Sequence, residues 1–403
     1  MTDTKEYSEK TIKNAQEQIS VLKRGVEEII PERELLKKLC SSIENKKPLR
    51  IKLGVDPTKP DLHLGHTVVM QKLKDFQDLG HQVMFLIGDF TAQIGDPSGK
   101  SETRKPITKD EIAVNAKSYA DQALKILNPS KTQIVFNSKW SDDLDISNVI
   151  KLASQMTVAR MLERDDFSKR YSAQEPISLH EFLYPIMQAY DSVQLRSDVE
   201  LGGTDQKFNV LLGREYQKNA GQEPQVVILL PILEGTDGVQ KMSKSLNNFI
   251  GVTEKPKDIF GKIMSISDQL MIRYYTLLTQ EDLSKIGELH PKVAKVHLAK
   301  IIVERFHSLD AANKAAEAFE ATFAKGLIPD DTPEITLENR PHSLVDIIVE
   351  NKMSASKGEA RRLVSQSAVS VNGEKISDIH ATVTPKDGLL IKVGKRRFLK
   401  IKS

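Results

Sequence analysis

Five consecutive apolar residues, Val83-Met84-Phe85-Leu86-Ile87, constrain this chain more than any other feature. A strand with one wet face alternates apolar and polar residues, whereas an unbroken apolar run needs cover on both faces. Residues 132–136 and 226–230 read the same way, and 49–55 alternates as a strand does. Segments with helical character lie between them, at 67–77 and 110–127. Strand, helix, strand in repetition predicts an α/β fold built on a parallel sheet covered by helices.

Ahead of the sheet, Ile12, Ala15, Ile19, Leu22, Val26 and Ile29 recur at three- and four-residue steps. They read as one packing face of a helix that Pro31 ends, with a second helix expected over 32–44. After Lys255 the strand signals stop, and 258–325 reads as a helical bundle. The stretch 328–341 is Pro- and acid-rich with little periodicity and reads as a linker. Beyond it, 343–403 holds two short helices, 344–349 and 357–365, and then short strands.

Charge is uneven along this plan. Residues 343–403 carry twelve Lys/Arg against six Asp/Glu, while the rest holds 46 basic and 49 acidic residues. A basic module on a slightly acidic body points to a polyanionic partner, although surface lysines also serve solubility. The single cysteine, Cys40, excludes an internal disulfide and a Cys-rich zinc site. Every apolar run is far shorter than the roughly 18 residues of a membrane span. The first ten residues mix Asp3, Glu6 and Glu9 with Lys5 and Lys10, unlike a secretory or transit segment. A cytoplasmic protein is expected, with no membrane partner.

Two motifs carry chemistry. His63-Leu64-Gly65-His66 follows the strand 49–55 through a Pro-rich approach, and a helix should begin near Leu64. The first amides of that helix suit an anion. Gly65 lets a flat base or phosphate reach the backbone, and His63 and His66 share a face one turn apart. The pair reads either as phosphate donors or as helix caps; zinc would need a third ligand that is not nearby. The second motif is Lys241-Met242-Ser243-Lys244-Ser245, on a polar loop after 226–230. Two lysines with small hydroxyls between them can close on a triphosphate and neutralise charge in the transition state. Tyr184, Gln188 and Asp191 lie at steps of four and three, so a phenol, an amide and a carboxylate share one helical face.

The two motifs together resemble the signatures of the class I aminoacyl-tRNA synthetases. The resemblance extends through Gly88-Asp89-Phe90-Thr91, Ile94-Gly95-Asp96-Pro97-Ser98-Gly99-Lys100, residues 184–191 and Gly202-Gly203-Thr204-Asp205-Gln206. That set looks like the bacterial tyrosyl-tRNA synthetases, in their second subtype. It implies a Rossmann-like catalytic domain over 1–250, a helical anticodon-side domain over 251–330, a linker over 331–342, and an αL-type RNA-binding domain over 343–403. It implies that Tyr184 and Gln188 hold a substrate α-amino group with Asp96 near it, and that Asp191 accepts the substrate phenol. By the same resemblance Gln206 and Asp56 would belong to the same tyrosine pocket. Asp205 would take a ribose beside Gly203, and Gly65 and Lys244 would contact ATP. Thr58, His63, His66, Lys241 and Lys244 would stabilise the reacting phosphates, with Mg2+ arriving on ATP. Lys357, Arg361 and Arg362 grip RNA, and 395–397 adds non-specific attraction or is a solvated end. The implied partners are L-tyrosine, ATP and tRNA(Tyr), in a homodimer.

One departure stands out. Many bacterial tyrosyl enzymes carry a tyrosine two residues before the glycine matching Gly54, and it bonds the substrate phenol; here the position is Lys52. Other readings are a tryptophanyl relative, a simpler nucleotidyltransferase, and an RNA-binding protein on a former synthetase scaffold. The paired Gln188 and Asp191 favour tyrosine over an indole with one donor.

Overall fold

The computed structural model describes residues 7–58, 61–98, 108–324, 332–394 and 397–402. Gly99 and Lys100 of the motif above lie outside the described residues, as do Asp3, Lys5 and Glu6, residues 325 and 395–396, and 328–331 of the expected linker. The chain divides into two compact units, Met1–Asn313 and Lys314–Ser403.

The first unit is built on six strands: β1 Glu28–Ile30, β2 Arg50–Val55, β3 Gln82–Ile87, β4 Thr132–Phe136, β5 Val199–Gly203 and β6 Val226–Leu230. Their order across the sheet is β1-β6-β5-β2-β3-β4. β2 through β6 run parallel, and β1 closes one edge antiparallel to β6. Every residue of β6 and all but the first of β3 are buried, as unbroken apolar runs require.

The helix expected through Ile29 ends earlier, at Lys23. Gly25 turns the chain in the left-handed region at φ +66°, and Glu28–Ile30 becomes an edge strand. Ile30 packs there against Val210, Val227 and Leu229. The apolar spacing therefore runs over two elements: Ala15, Ile19 and Leu22 are buried on the helix, and Ile30 packs from the strand. The next helix spans Glu32–Asn45, one residue beyond expectation. Helix Leu64–Asp78 links β2 to β3, and Lys109–Ala123 lies between β3 and β4 with a Thr108–Glu111 capping box. Helices Leu183–Leu195 and Lys207–Asn219 flank β5 in sequence and pack on one another.

The chain moves outward from β2 to β3 and β4 on one side, and β5 and β6 occupy the other. The β2–β5 seam is therefore the topological switch point, where open parallel sheets form their crevice. After the sheet come helices Pro256–Ser265, Asp268–Leu278, Leu283–Glu288, Pro291–Phe306 and Leu309–Ala324, the helical region expected from the sequence.

In the second unit, helices Leu344–Glu350 and Lys357–Ser365 pack with strands β7 Glu334–Thr336, β8 His342–Ser343, β9 Val369–Val371, β10 Glu374–Ile376, β11 Thr382–Val383, β12 Leu389–Val393 and β13 Arg397–Lys402. Five of them form one sheet, β10-β9-β12-β13-β7. β7 lies in the stretch that reads as linker. Three residues are too short for a periodicity signal, and the strand exists because β13 offers it a parallel partner.

Candidate active site

A cleft of ≈ 300 Å³ opens at the carboxyl ends of β2 and β5. Asp56, Thr58, His66, Asp96, Tyr184, Gln188, Asp191, Gly203, Asp205 and Gln206 line it. His63, Gly65, Lys241 and Lys244 are not among its lining residues. A larger concavity of ≈ 510 Å³ beside Gly25 and Arg273 holds none of the motif residues.

One half of the cleft is densely hydrogen-bonded. Helix Leu183–Leu195 presents Tyr184, Gln188 and Asp191 to the cleft, as their spacing predicts. Tyr184 donates its hydroxyl to Asp56 Oδ2 at 2.9 Å, and Thr91 donates to Asp56 Oδ1 at 2.8 Å. Gly88 makes this approach possible: a Cβ there would stand 2.1 Å from Asp56 Oδ1. Asp191 is buried, with Trp140 Nε1 donating to one carboxylate oxygen at 2.8 Å and Asn137 Nδ2 to the other at 3.2 Å. Burial pushes the Asp191 carboxyl up to about 7, against the opposing pull of Lys52 and of its two donors. Gln188 Oε1 is buried without a hydrogen-bond partner among the described residues, an acceptor suited to an ammonium group.

Lys52 does not line the cleft. Its ammonium is buried behind it, 2.8 Å from Glu200 Oε1. A carboxylate at Asp96 joins the two halves of the wall. It accepts from Gln206 Nε2 at 3.0 Å and from the Ser98 backbone at 2.9 Å. Arg164, buried on one side, reaches Ser98 Oγ at 2.7 Å and Asn209 Oδ1 at 3.0 Å. Asp205 stands beside Gly203, where a Cβ would come within 2.6 Å of its Oδ1. Burial, then the like charge of Asp96, raises the Asp205 carboxyl, and Lys241 opposes them.

The other half is looser. His63 is the N-cap of helix Leu64–Asp78 and accepts from the Gly65 N–H on Nδ1 at 3.2 Å. His66 Nδ1 accepts from the His63 N–H at 3.2 Å. Both caps use Nδ1 as the acceptor and place the ring proton on Nε2, so capping is compatible with donation from Nε2. The rings lie 3.9 Å apart, centre to centre. Burial, with a smaller contribution from Lys244, lowers His66 to about 4 and keeps it neutral. Lys241 is exposed, and Met242 between the lysines is buried. Asn248 holds the loop by accepting from Ser243 N–H at 2.8 Å and donating to the Lys241 carbonyl at 3.1 Å. Lys244 is only loosely engaged, 3.4 Å from Asp61.

In the second unit, Arg361 and Arg362 are exposed on helix Lys357–Ser365, and Lys357 pairs with Asp346 at 2.7 Å. Sequence reasoning did not single out Trp140, Asn137 or Arg164. Each acts through a partner 45 to 68 residues away, which no local pattern encodes.

The family model for class I tRNA synthetases (W and Y) matches residues 44–324, and that for the tyrosine–tRNA ligase SYY-like C-terminal domain matches 323–401. A tyrosine–tRNA ligase of Carboxydothermus hydrogenoformans is 56% identical, covering 95% of this chain and 97% of its own. One of Syntrophotalea carbinolica is 53% identical, covering 97% and 99%. The crystal structure of a tyrosyl-tRNA synthetase complexed with L-tyrosine from Archaeoglobus fulgidus is 27% identical. It covers 75% of this chain and 99% of its own, with a TM-score of 0.60.

Proposed function

Since this chain belongs to the class I tRNA synthetases of the tryptophan and tyrosine family, we propose that it is a tyrosine–tRNA ligase. Buried Asp191, on one wall with Tyr184 and Gln188, carries the choice of tyrosine. A carboxylate there accepts a phenol proton, and a substrate lacking that hydroxyl leaves the buried acceptor short of its partner. Gln188 Oε1 and Tyr184 receive the α-ammonium, with Asp96 nearby. Asp56 orients Tyr184, and Gln206 supports Asp96 near the reacting carboxyl.

ATP enters over Gly65 and Gly203, with Asp205 on its ribose. A tyrosine carboxylate oxygen attacks the α-phosphorus, the bond to the β-phosphate oxygen breaks, and tyrosyl-adenylate and pyrophosphate form. No side-chain nucleophile takes part; positioning and charge stabilisation supply the rate. His63 and His66 donate through Nε2, Thr58 donates its hydroxyl, and Lys241 and Lys244 close on the leaving pyrophosphate. Mg2+ travels with the triphosphate as part of the substrate. A terminal ribose hydroxyl of tRNA(Tyr) then attacks the tyrosyl carbonyl and releases AMP.

Residues 1–250 form the catalytic domain in this reading and 251–330 the anticodon-side domain. Past the linker 331–342, residues 343–403 bind RNA through Lys357, Arg361 and Arg362. The enzyme works as a homodimer in the cytoplasm; no helix among the described residues is long and apolar enough to cross a membrane. Amino-acid-dependent ATP–pyrophosphate exchange without tRNA tests the assignment. Exchange with tyrosine alone is expected. Exchange with tryptophan instead would move the chain to the sister branch, and none with either, while structured RNA still binds, would overturn the proposal.

A further inference from the structure

Lys52 and Glu200 face each other across the β2–β5 seam as direct register partners. They are 0% and 1% exposed, in a sheet whose neighbouring strands β3 and β6 are almost wholly apolar at their buried positions. A buried ion pair is a poor device for stability, because desolvation offsets most of its attraction. Its position suggests a different use.

All three ammonium protons of Lys52 have acceptors. Besides Glu200 Oε1, they are Ser192 Oγ at 2.7 Å and the Gln188 backbone carbonyl at 3.2 Å. Ser192 in turn donates to Glu200 Oε2 at 2.9 Å, and Gln225 also donates to that oxygen. Gln188 and Ser192 bracket Asp191 on helix Leu183–Leu195, so Lys52 grips this helix on both sides of the carboxylate.

We infer that Lys52 is a positioning residue for phenol recognition: it fixes the helix segment 188–192 against the sheet and supplies the cation that favours the ionised form of Asp191. The inference rests on the proposed tyrosine specificity and gives the second subtype its counterpart to the missing tyrosine at position 52, acting from behind the carboxylate. The groups facing Asp191 are Lys52 on β2, Glu200 on β5, Tyr190 on its own helix, and the neutral donors Asn137 and Trp140 beyond β4. Lys52 is the cation among them. Without it, two buried carboxylates would face each other uncompensated, and one would take up a proton.

Trp140 is the sole tryptophan of the chain and touches Asp191 directly, so its emission reports that carboxylate without any substrate. The experiment is a pH titration of this emission, beside tyrosine kinetics, in wild type, Lys52→Met and Lys52→Met/Glu200→Gln. The wild-type midpoint is expected at about 7. Lys52→Met should move it upward by about one pH unit or more. It should raise KM for tyrosine by at least about tenfold, leave KM for ATP within about twofold, and carry the acid limb of kcat/KM upward with the emission. The double variant, which relieves the stranded Glu200 and stays measurable if the single one does not fold, should show an intermediate midpoint and a raised tyrosine KM. A folded Lys52→Met with an unmoved midpoint, or a double variant matching wild type in tyrosine KM, would overturn the inference. Failure of the wild type to exchange with tyrosine would overturn the specificity instead, and the emission midpoints would still judge Lys52.

Discussion

The two halves of the cleft are built differently. In the half proposed to hold tyrosine, Asp56 accepts from Tyr184 and Thr91, Asp191 accepts from Trp140 and Asn137, and Asp96 is braced by Gln206 and Arg164. In the half proposed to meet the phosphates, Lys241 is exposed and Lys244 rests 3.4 Å from Asp61. The contrast follows from what each half must do. A rigid, desolvated pocket discriminates one hydroxyl from none. Groups that meet charge developing during reaction gain by arriving late, since interactions made only in the transition state raise the rate.

The largest effect should come from the rigid half. Asp191→Ala is expected to cut kcat/KM for tyrosine by about 1,000-fold or more and to erase most preference over phenylalanine, measured by pyrophosphate exchange with both. Lys244→Ala should lower kcat by about 100-fold or more while KM for tyrosine stays within about twofold, as befits a group that acts in the transition state. Equal losses in KM and kcat would mean that the two halves are not separable.

The two halves differ in their response to pH. The His66 pKa of about 4 keeps that ring neutral through physiological pH, while Asp191 titrates at about 7, above its usual carboxylate range. In its proposed role Asp191 must be ionised to accept the phenol, so kcat/KM for tyrosine should rise with pH through about 7. His66→Asn, which keeps a donor, should slow exchange about tenfold without moving that limb. A shifted limb would assign it to His66. Least of all, Arg361→Ala/Arg362→Ala should leave exchange unchanged. It should weaken tRNA binding about tenfold and flatten its salt slope by one to two, roughly one for each phosphate no longer neutralised.

Sequence made the sheet and the substrate-facing helix legible because both depend on local period. The run 83–87, between turn signals and too short for a helix, reads as a doubly covered strand, and Tyr184, Gln188 and Asp191 could share a face only on a helix. What stayed hidden depends on distant partners. Val26 and Ile29 continue a helical spacing, yet Gly25 turns the chain and β6 takes up the next residues. Lys52 read as an anomaly because its meaning lies in Glu200, 148 positions on and directly opposite in the sheet. Trp140 and Asn137 gave no signal for the same reason.

The strand order also sets a timetable for synthesis. β2, β3 and β4 are contiguous in both sequence and sheet, so this half can assemble as soon as it leaves the ribosome. β1 must wait for β6, whose partner residues lie some 200 positions later. At about 5–20 residues per second this delay is roughly 10–40 s. Through that interval residues 28–30 are an unmatched edge, and the seam that forms the proposed tyrosine pocket does not exist until β5 is made. A nascent chain stalled between β4 and β5 would thus carry the His63–His66 motif on a nearly complete half-sheet with no amino-acid site to serve.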